Sequence, residues 1–286
     1  MIKPQKISTN WSEVPHGVTY YFIGQPKTGK TTTASRWSEK GTEGVLLIDT
    51  DLGSDYVEGA NVVTATSLNI PYRELKSDGK SVIKNGKTQM EIIPPEERGY
   101  YYRSGENRGK PMPVYSMVEI YQWLKQNFHK QSEFNTIVID TIDVINKWIE
   151  EEVVKELDIT GMGEGSWGAD WFKARKRNVD LIKKLQLFIK KNGYDLVLIS
   201  HSKSSTSTDG KIQLLPELPR GLAYALSAKA DVIGYTTANK EDGKYYISFQ
   251  SYDERAVGSR LKPLAQKTLL FDYDAIKNEI LNYKEE

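Results

Sequence analysis

The densest chemical signal in the chain is Gly24-Gln25-Pro26-Lys27-Thr28-Gly29-Lys30-Thr31, a GxxxxGK[ST] match followed by Thr32. Glycines at this spacing let the backbone curl until successive N–H groups face one point, and a helix opening at Lys30 adds its positive end. Such a nest holds phosphate oxygens. Lys30 is placed to reach the β- and γ-phosphates, the Thr31 hydroxyl to bind Mg²⁺, and Thr32 to reach the α-phosphate. The competing reading, a Gly-rich turn that contains a lysine, leaves the spacing and the flanking strand and helix patterns unexplained.

A Mg²⁺ shell also needs an acid. Asp140 ends the apolar run 136–139 in a strand-then-Asp pattern; the plainer reading is a cap on the following helix. The next residue is Thr141, where AAA+ ATPases place a catalytic Glu, so the carboxylate that activates water must come from elsewhere. The run 45–48 is followed by Asp49-Thr50-Asp51. An acid just past that strand's C-terminal end stands beside the γ-phosphate in an open α/β sheet. Asp51 is the candidate general base and Asp49 the runner-up.

These side chains meet only if short strands end side by side. Apolar runs at 18–23, 45–48, 136–139 and 196–199 are β-branched or aliphatic, as strands buried on both faces are. Helical patterns fill the intervals at 30–40, 116–129, 144–157 and 170–191, the last with Phe172, Val179, Ile182, Leu185 and Ile189 on one stripe. The alternation predicts an α/β fold with a mostly parallel, twisted sheet and helices on both faces. Strands at 230–236, 244–250 and 267–271 around an Asp242-Gly243 turn predict a C-terminal antiparallel extension. A helix over 274–283, capped by Asp274, closes the chain. Residues 69–114, rich in Gly, Pro, Lys and Tyr, read as an inserted hairpin or loop within a single domain spanning 1–286, and 202–219 as a polar loop.

Composition narrows the class. With 39 Lys+Arg against 38 Asp+Glu the net charge is +1, which excludes nucleic-acid binding by bulk charge but not a local basic groove. Zero Cys excludes disulfide frameworks, thiolate zinc sites, iron–sulfur clusters and Cys nucleophiles. His16, His129 and His201 are too scattered for a His-rich metal site. No stretch of about 18 apolar residues and no signal-peptide core is present. The expectation is a soluble cytoplasmic protein with no membrane partner.

On these motifs the chain resembles the RecA-like P-loop NTPases over most of its length. Among them it is most similar to small phage-encoded ATPases of single-strand annealing and recombination, whose GxPKxGKT-type loop Gln25-Pro26-Lys27 fits. Ile48-Asp49-Thr50-Asp51 is similar to the RecA stretch that carries the catalytic Glu, with Asp51 one methylene shorter. Beyond Asp140 the resemblance runs through a helix, the Gly-rich loop 161–168, the helix 170–191 and a strand ending at His201. His201 resembles the γ-phosphate sensor; on its own it also reads as a surface histidine past a strand end. Segments 202–219, 221–228 and 230–236 follow the family order of second DNA-binding loop, helix and strand. Arg260, with Arg255 and Lys262 in reserve, resembles the arginine finger that hexameric helicases offer a neighbour; a solvated surface arginine is the other reading.

The resemblance implies ATP and Mg²⁺ as cofactors and ATP hydrolysis stimulated by single-stranded DNA during recombination, annealing or repair. It also implies a homo-oligomeric ring or filament with ATP between subunits, a single-strand-binding protein as partner, and the host cytoplasm for a phage-encoded chain. Met162 and Trp167 would stack bases, and Lys203, Lys211 and Arg220 would meet phosphates. The basic helix face Lys173, Arg175, Lys176, Arg177, Lys183 and Lys184 and the patch 98–103 are further candidates, each also explained as a solvated face or a packed hairpin. Two alternatives stay open: a DNA-annealing protein that uses ATP as a structural switch with negligible turnover, and a helicase-like ring or signalling ATPase.

Overall fold

A computed structural model describes residues 10–128, 133–206, 212–251 and 257–284. Its main sheet is built, in chain order, from β1 (Thr19–Gly24), β2 (Val45–Asp49), β3 (Asn61–Ser67), β4 (Tyr115–Ser116), β5 (Thr136–Asp140) and β6 (Asp195–Thr206). β7 (Ile212–Pro216), β8 (Val232–Ala238), β9 (Tyr245–Ser248), β10 (Gly258–Ser259) and β11 (Thr268–Leu270) complete it. The spatial order is β4-β3-β2-β5-β6-β1-β8-β9-β11, with β7 paired to β6 and β10 to β8. From β4 to β8 every neighbouring pair is parallel. β7, β9, β10 and β11 run antiparallel to their partners; β9 and β11 form with β8 the extension expected at the C-terminal end, while β7 and β10 were not anticipated.

The unbroken apolar strands divide their side chains between two cores. Tyr21, Ile23, Leu46, Ile48, Ile137, Ile139, Leu196 and Leu198 face one side, packed by α2 (Met117–Asn127), α3 (Ile142–Leu157), α4 (Ala169–Asn192) and α5 (Arg220–Ser227). Tyr20, Phe22, Val45, Leu47, Val138, Val197 and Ile199 face the other, against Trp37 and α6 (Tyr273–Leu281). Each fully buried side chain of this size contributes about 1.5–3 kcal/mol. Among the described residues no helix is long and apolar enough to cross a membrane.

Four local expectations change. The first helix, α1 (Lys30–Ala34), is one turn, not the stretch 30–40. Its consecutive threonines are weak helix formers, and Ser35 turns its hydroxyl back onto the Thr32 carbonyl at 2.9 Å. The strand at 196–199 runs on as β6, whose polar Ser202–Thr206 end pairs with β7, so a hairpin replaces the expected loop. The final helix is capped by Asp272, which accepts from the N–H groups of Asp274 and Ala275 at 3.0 and 3.2 Å, and not by Asp274. β3 had no apolar run to announce it; this strand is polar and half-exposed near the sheet edge.

The insertion is a chain of small ladders: Tyr72–Glu74 with Met90–Ile92, Lys76–Ser77 with Lys80–Ser81, and Ile83–Lys84 with Lys87–Thr88. Its return arm is fastened at two points. Arg98, almost fully buried, donates to both carboxylate oxygens of Glu119 at 2.8 Å, and Glu119 closes a capping box with Ser116 at the start of α2. That guanidinium holds the Glu119 carboxyl down to about 2. Arg103 pairs with Asp55 and donates to the Leu52 carbonyl, in the loop that follows Asp51.

Candidate functional site

The loop Gly24–Thr31 leaves the C-terminal end of β1 and curls into α1. Gly29 takes φ +76, the left-handed region that favours glycine, and a Cβ there would lie 2.7 Å from Cγ of Tyr245. The Thr28 hydroxyl donates to the Gln25 carbonyl at 2.8 Å and is 2.7 Å from the Thr236 hydroxyl, which ties the loop to β8. Lys30 is buried, with its ammonium donating to the carbonyls of Gly24 and Gln25 at 2.9 and 2.7 Å. Burial pulls its pKa below the ordinary lysine value, while Asp140 and Asp143 oppose that. Gln25, Pro26, Lys27 and Thr32 are exposed, and Pro26, Lys27 and Thr32 line the open cavity beside the loop.

Asp140, at the end of β5, accepts the Thr31 hydroxyl at 2.5 Å. Burial is the main force pushing its carboxyl up to about 6, with Asp49 adding to it and Thr31 and Lys30 opposing. Asp140 and Asp49 are register partners across β5 and β2, which is why their charges repel. A hydroxyl beside a buried carboxylate is the donor chemistry of a Mg²⁺ site, and the ion needs few protein ligands when phosphates and waters complete its shell. Among the described residues no group of three or more His, Asp or Glu forms a self-sufficient metal cage. Thr31 and Asp140 therefore fit a Mg²⁺ that arrives with the nucleotide.

The two acids after β2 differ in kind. Asp49 is buried and accepts from the N–H groups of Asp51, Gly53 and Ser54 at 3.0, 3.3 and 2.9 Å, and from the Ser54 hydroxyl. Its oxygens are spent on holding the loop. Asp51 is exposed and lines a cavity of about 330 Å³ together with Lys30, Thr31, Asp140 and His201. Thr50 between them locks β2 to β5: its hydroxyl donates to the Thr141 carbonyl and accepts from the Thr141 N–H, both at 2.8 Å.

His201 is level with Gly24 across the β6–β1 ladder, so it faces the start of the phosphate loop. Asp143, in the first turn of α3, accepts the His201 N–H at 2.7 Å and the Ser200 hydroxyl, and lies 3.4 Å from His201 Nδ1. That contact raises the imidazole pKa, against a smaller opposing effect of burial. Nothing local in the sequence singles out Asp143 or Thr50. Their partners lie 57 and 91 residues away.

The remaining candidates divide. Trp167 is fully exposed and takes φ 56 in the turn before α4. It borders a second cleft, of about 410 Å³, with Trp171, Phe172, Arg175, Glu150 and Leu222. Phe172 and Tyr224 are exposed, and the guanidinium groups of Arg175 and Arg220 lie over their rings at 5.9 and 5.8 Å. Phe172, placed on the apolar stripe of α4 by its spacing, is exposed instead and does not join Ile182, Leu185 and Ile189 in the core; Trp171 and Tyr224 gave no signal in the sequence. Met162 packs against the core, half-buried, and Lys203 stands half-exposed on β6. Lys211 and Arg255 lie outside the described residues.

Arg260 is not brought to the phosphate loop of its own chain. It donates to Asp231 and to the Ala228 carbonyl at 2.9 and 2.8 Å, beside the first residue of β8, at the opposite end of the strands. Lys262 begins a short 3₁₀ turn nearby. On the basic helix face, Lys173 and Arg177 both pair with Glu156 of α3. In the patch 98–103 both arginines are the anchors described above, and Tyr101 stays exposed.

A family model described as an AAA domain matches residues 16–261 of the chain. No curated protein matches it.

Proposed function

The chain belongs to the AAA-domain family of P-loop ATPases, and from that premise we propose that it is a RecA-like, Mg²⁺-dependent ATPase whose turnover is coupled to single-stranded DNA. The observation that carries this reading is the position of α3. Its first turn follows Asp140 and holds Asp143 on His201, and farther along it Asn146 and Glu150 form a wall of the aromatic cleft. One helix thus reaches the phosphate cavity through His201 and walls the cleft proposed for DNA.

In this mechanism the Lys30 ammonium leaves the carbonyls of Gly24 and Gln25 for phosphate oxygens, and the loop N–H groups take the rest. Thr31 and Asp140 would hold Mg²⁺, which when bound would neutralise phosphate charge. Asp51 orients the attacking water and accepts its proton. His201 senses the γ-phosphate end, and its link to Asp143 passes the difference to α3. Bases stack on Trp167, Trp171 and Phe172, while Arg175 and Arg220 meet the backbone phosphates. DNA of this kind is the substrate of recombination, annealing or repair.

Steady-state ATP hydrolysis with and without single-stranded DNA tests the proposal. Turnover that rises with DNA and disappears in Lys30→Ala supports it. Absence of turnover at saturating DNA, with ATP still bound, would favour the switch reading instead.

A further inference from the structure

The site has a direction, set by strand order. β5 and β6, which carry Asp140 and His201, and β2, which Asp51 follows, all lie on one side of β1. β8 and β9 lie on the other. A polyphosphate seated in the loop with its terminal group toward the acids must send its nucleoside toward β8 and β9. The residue waiting there is Tyr245.

Tyr245 opens β9 and is paired with Ala238 at the C-terminal end of β8. Its ring rests on Gly29, close enough that a Cβ on Gly29 would lie 2.8 Å from Cε2. Its position is fixed from behind: the Tyr245 carbonyl accepts the Phe271 N–H at 2.8 Å, and the Phe271 carbonyl accepts the Thr33 hydroxyl of α1 at 3.2 Å. Tyr245 is 38% exposed and lines the same cavity as Thr32, the residue placed for the α-phosphate. The other aromatic ring on that cavity, Tyr56, follows Asp51 and Gly53 and so stands at the acid end. We propose that Tyr245 is the nucleobase platform, its ring stacking on the base of the bound nucleotide at the end of the cavity opposite Asp51 and Asp140.

The proposal rests on the reading of Gly24–Thr31 as the ATP site. A stacking face rewards ring area and asks for no particular hydrogen-bond pattern. Tyr245 therefore sets a preference for purine over pyrimidine nucleotides and does not by itself separate adenine from guanine.

Calorimetric titration of the full chain with MgADP, MgCDP and inorganic tripolyphosphate tests it in wild type, Tyr245→Ala, Tyr245→Phe and Lys30→Ala. In Tyr245→Ala, MgADP should bind about tenfold more weakly, tripolyphosphate as in wild type, and the margin of ADP over CDP should shrink. Tyr245→Phe, which keeps the ring on Gly29, should match wild type throughout. Unchanged MgADP affinity in Tyr245→Ala overturns the platform, and so does an equal loss for MgADP and tripolyphosphate, which would mean that the ring only shapes the loop. If wild type binds neither MgADP nor tripolyphosphate above the Lys30→Ala level, the phosphate-site reading itself has failed.

Discussion

Asp143 holds His201 twice, through the backbone N–H at 2.7 Å and the imidazole Nδ1 at 3.4 Å. The pair joins the first turn of α3 to the strand beside the phosphate loop. It also fixes where the imidazole points and how readily it carries a proton.

Replacing Asp143 with Asn should therefore lower the His201 pKa, which the carboxylate raises above the ordinary 6.5. The sign is that of a histidine gaining a partner: the stabilisation is full below the unfolded value and fades as pH rises through the folded one. A chemical-shift titration of His201 reads this directly. An unmoved midpoint in Asp143→Asn would remove the electrostatic link. In the same variant DNA stimulation of the ATPase should weaken while basal turnover persists.

The two acids after β2 should separate in a pair of variants. Asp51→Asn should cut turnover by roughly 10²–10⁴-fold, the range of a lost general base, with little change in melting temperature. Asp49→Asn should lower the melting temperature, because the amide keeps only one of the two oxygens that accept from Asp51, Gly53 and Ser54 and turns an NH2 toward the remaining donors. Wild-type turnover in Asp51→Asn would exclude it as the base.

Trp167→Ala should weaken single-stranded DNA binding by roughly 1–3 kcal/mol, the value of one stacked base. Fluorescence anisotropy at two salt concentrations is the measurement. Stability should not change, since the side chain is fully exposed. An unchanged affinity at both salts would take the aromatic cleft out of the DNA path.

Asp195 gives a pH dependence that has nothing to do with catalysis. It is buried at the start of β6, and burial outweighs its hydrogen bond from the Val18 N–H at 2.9 Å, pushing its carboxyl up to about 7. An unfolded Asp titrates near 3.9, so between about pH 4 and 7 the folded chain keeps a proton that the unfolded chain releases. Stability should fall as pH rises through that window and level off above it, with a ceiling of roughly 4 kcal/mol. Asp195→Asn keeps an acceptor for Val18 and should flatten the profile of melting temperature against pH. A profile of unchanged slope would show that other groups dominate.

How far the sequence carried follows from the range of each interaction. The loop Gly24–Thr31 and the acid Asp140 are local patterns, and both were legible down to the residue. So were the buried strands, because a strand covered on both faces leaves an unmistakable apolar run. β3 was missed since a half-exposed edge position does not demand that run, and the β6–β7 hairpin since alternating Ser, Thr and Lys read equally well as loop. Asp143, Thr50 and Tyr245 depend on partners far along the chain. Their parts in the site come from strand order alone. The sequence offered Asp51 and Asp49 as a choice between two acids, and only the fold reveals that Asp49 is occupied in holding the turn.

β6 is 12 residues long, twice the 6 of β1 beside it. At about 3.3 Å per residue it is a stiff rod of roughly 40 Å. Its first half is clamped between β1 and β5, and its last residues stand outside the sheet with β7 as their sole ladder partner among the described residues. His201 sits where the clamp ends, at the pivot. Residues 202–206 continue the strand directly from His201, so no loop separates that outer arm from the residue that faces the start of the phosphate loop.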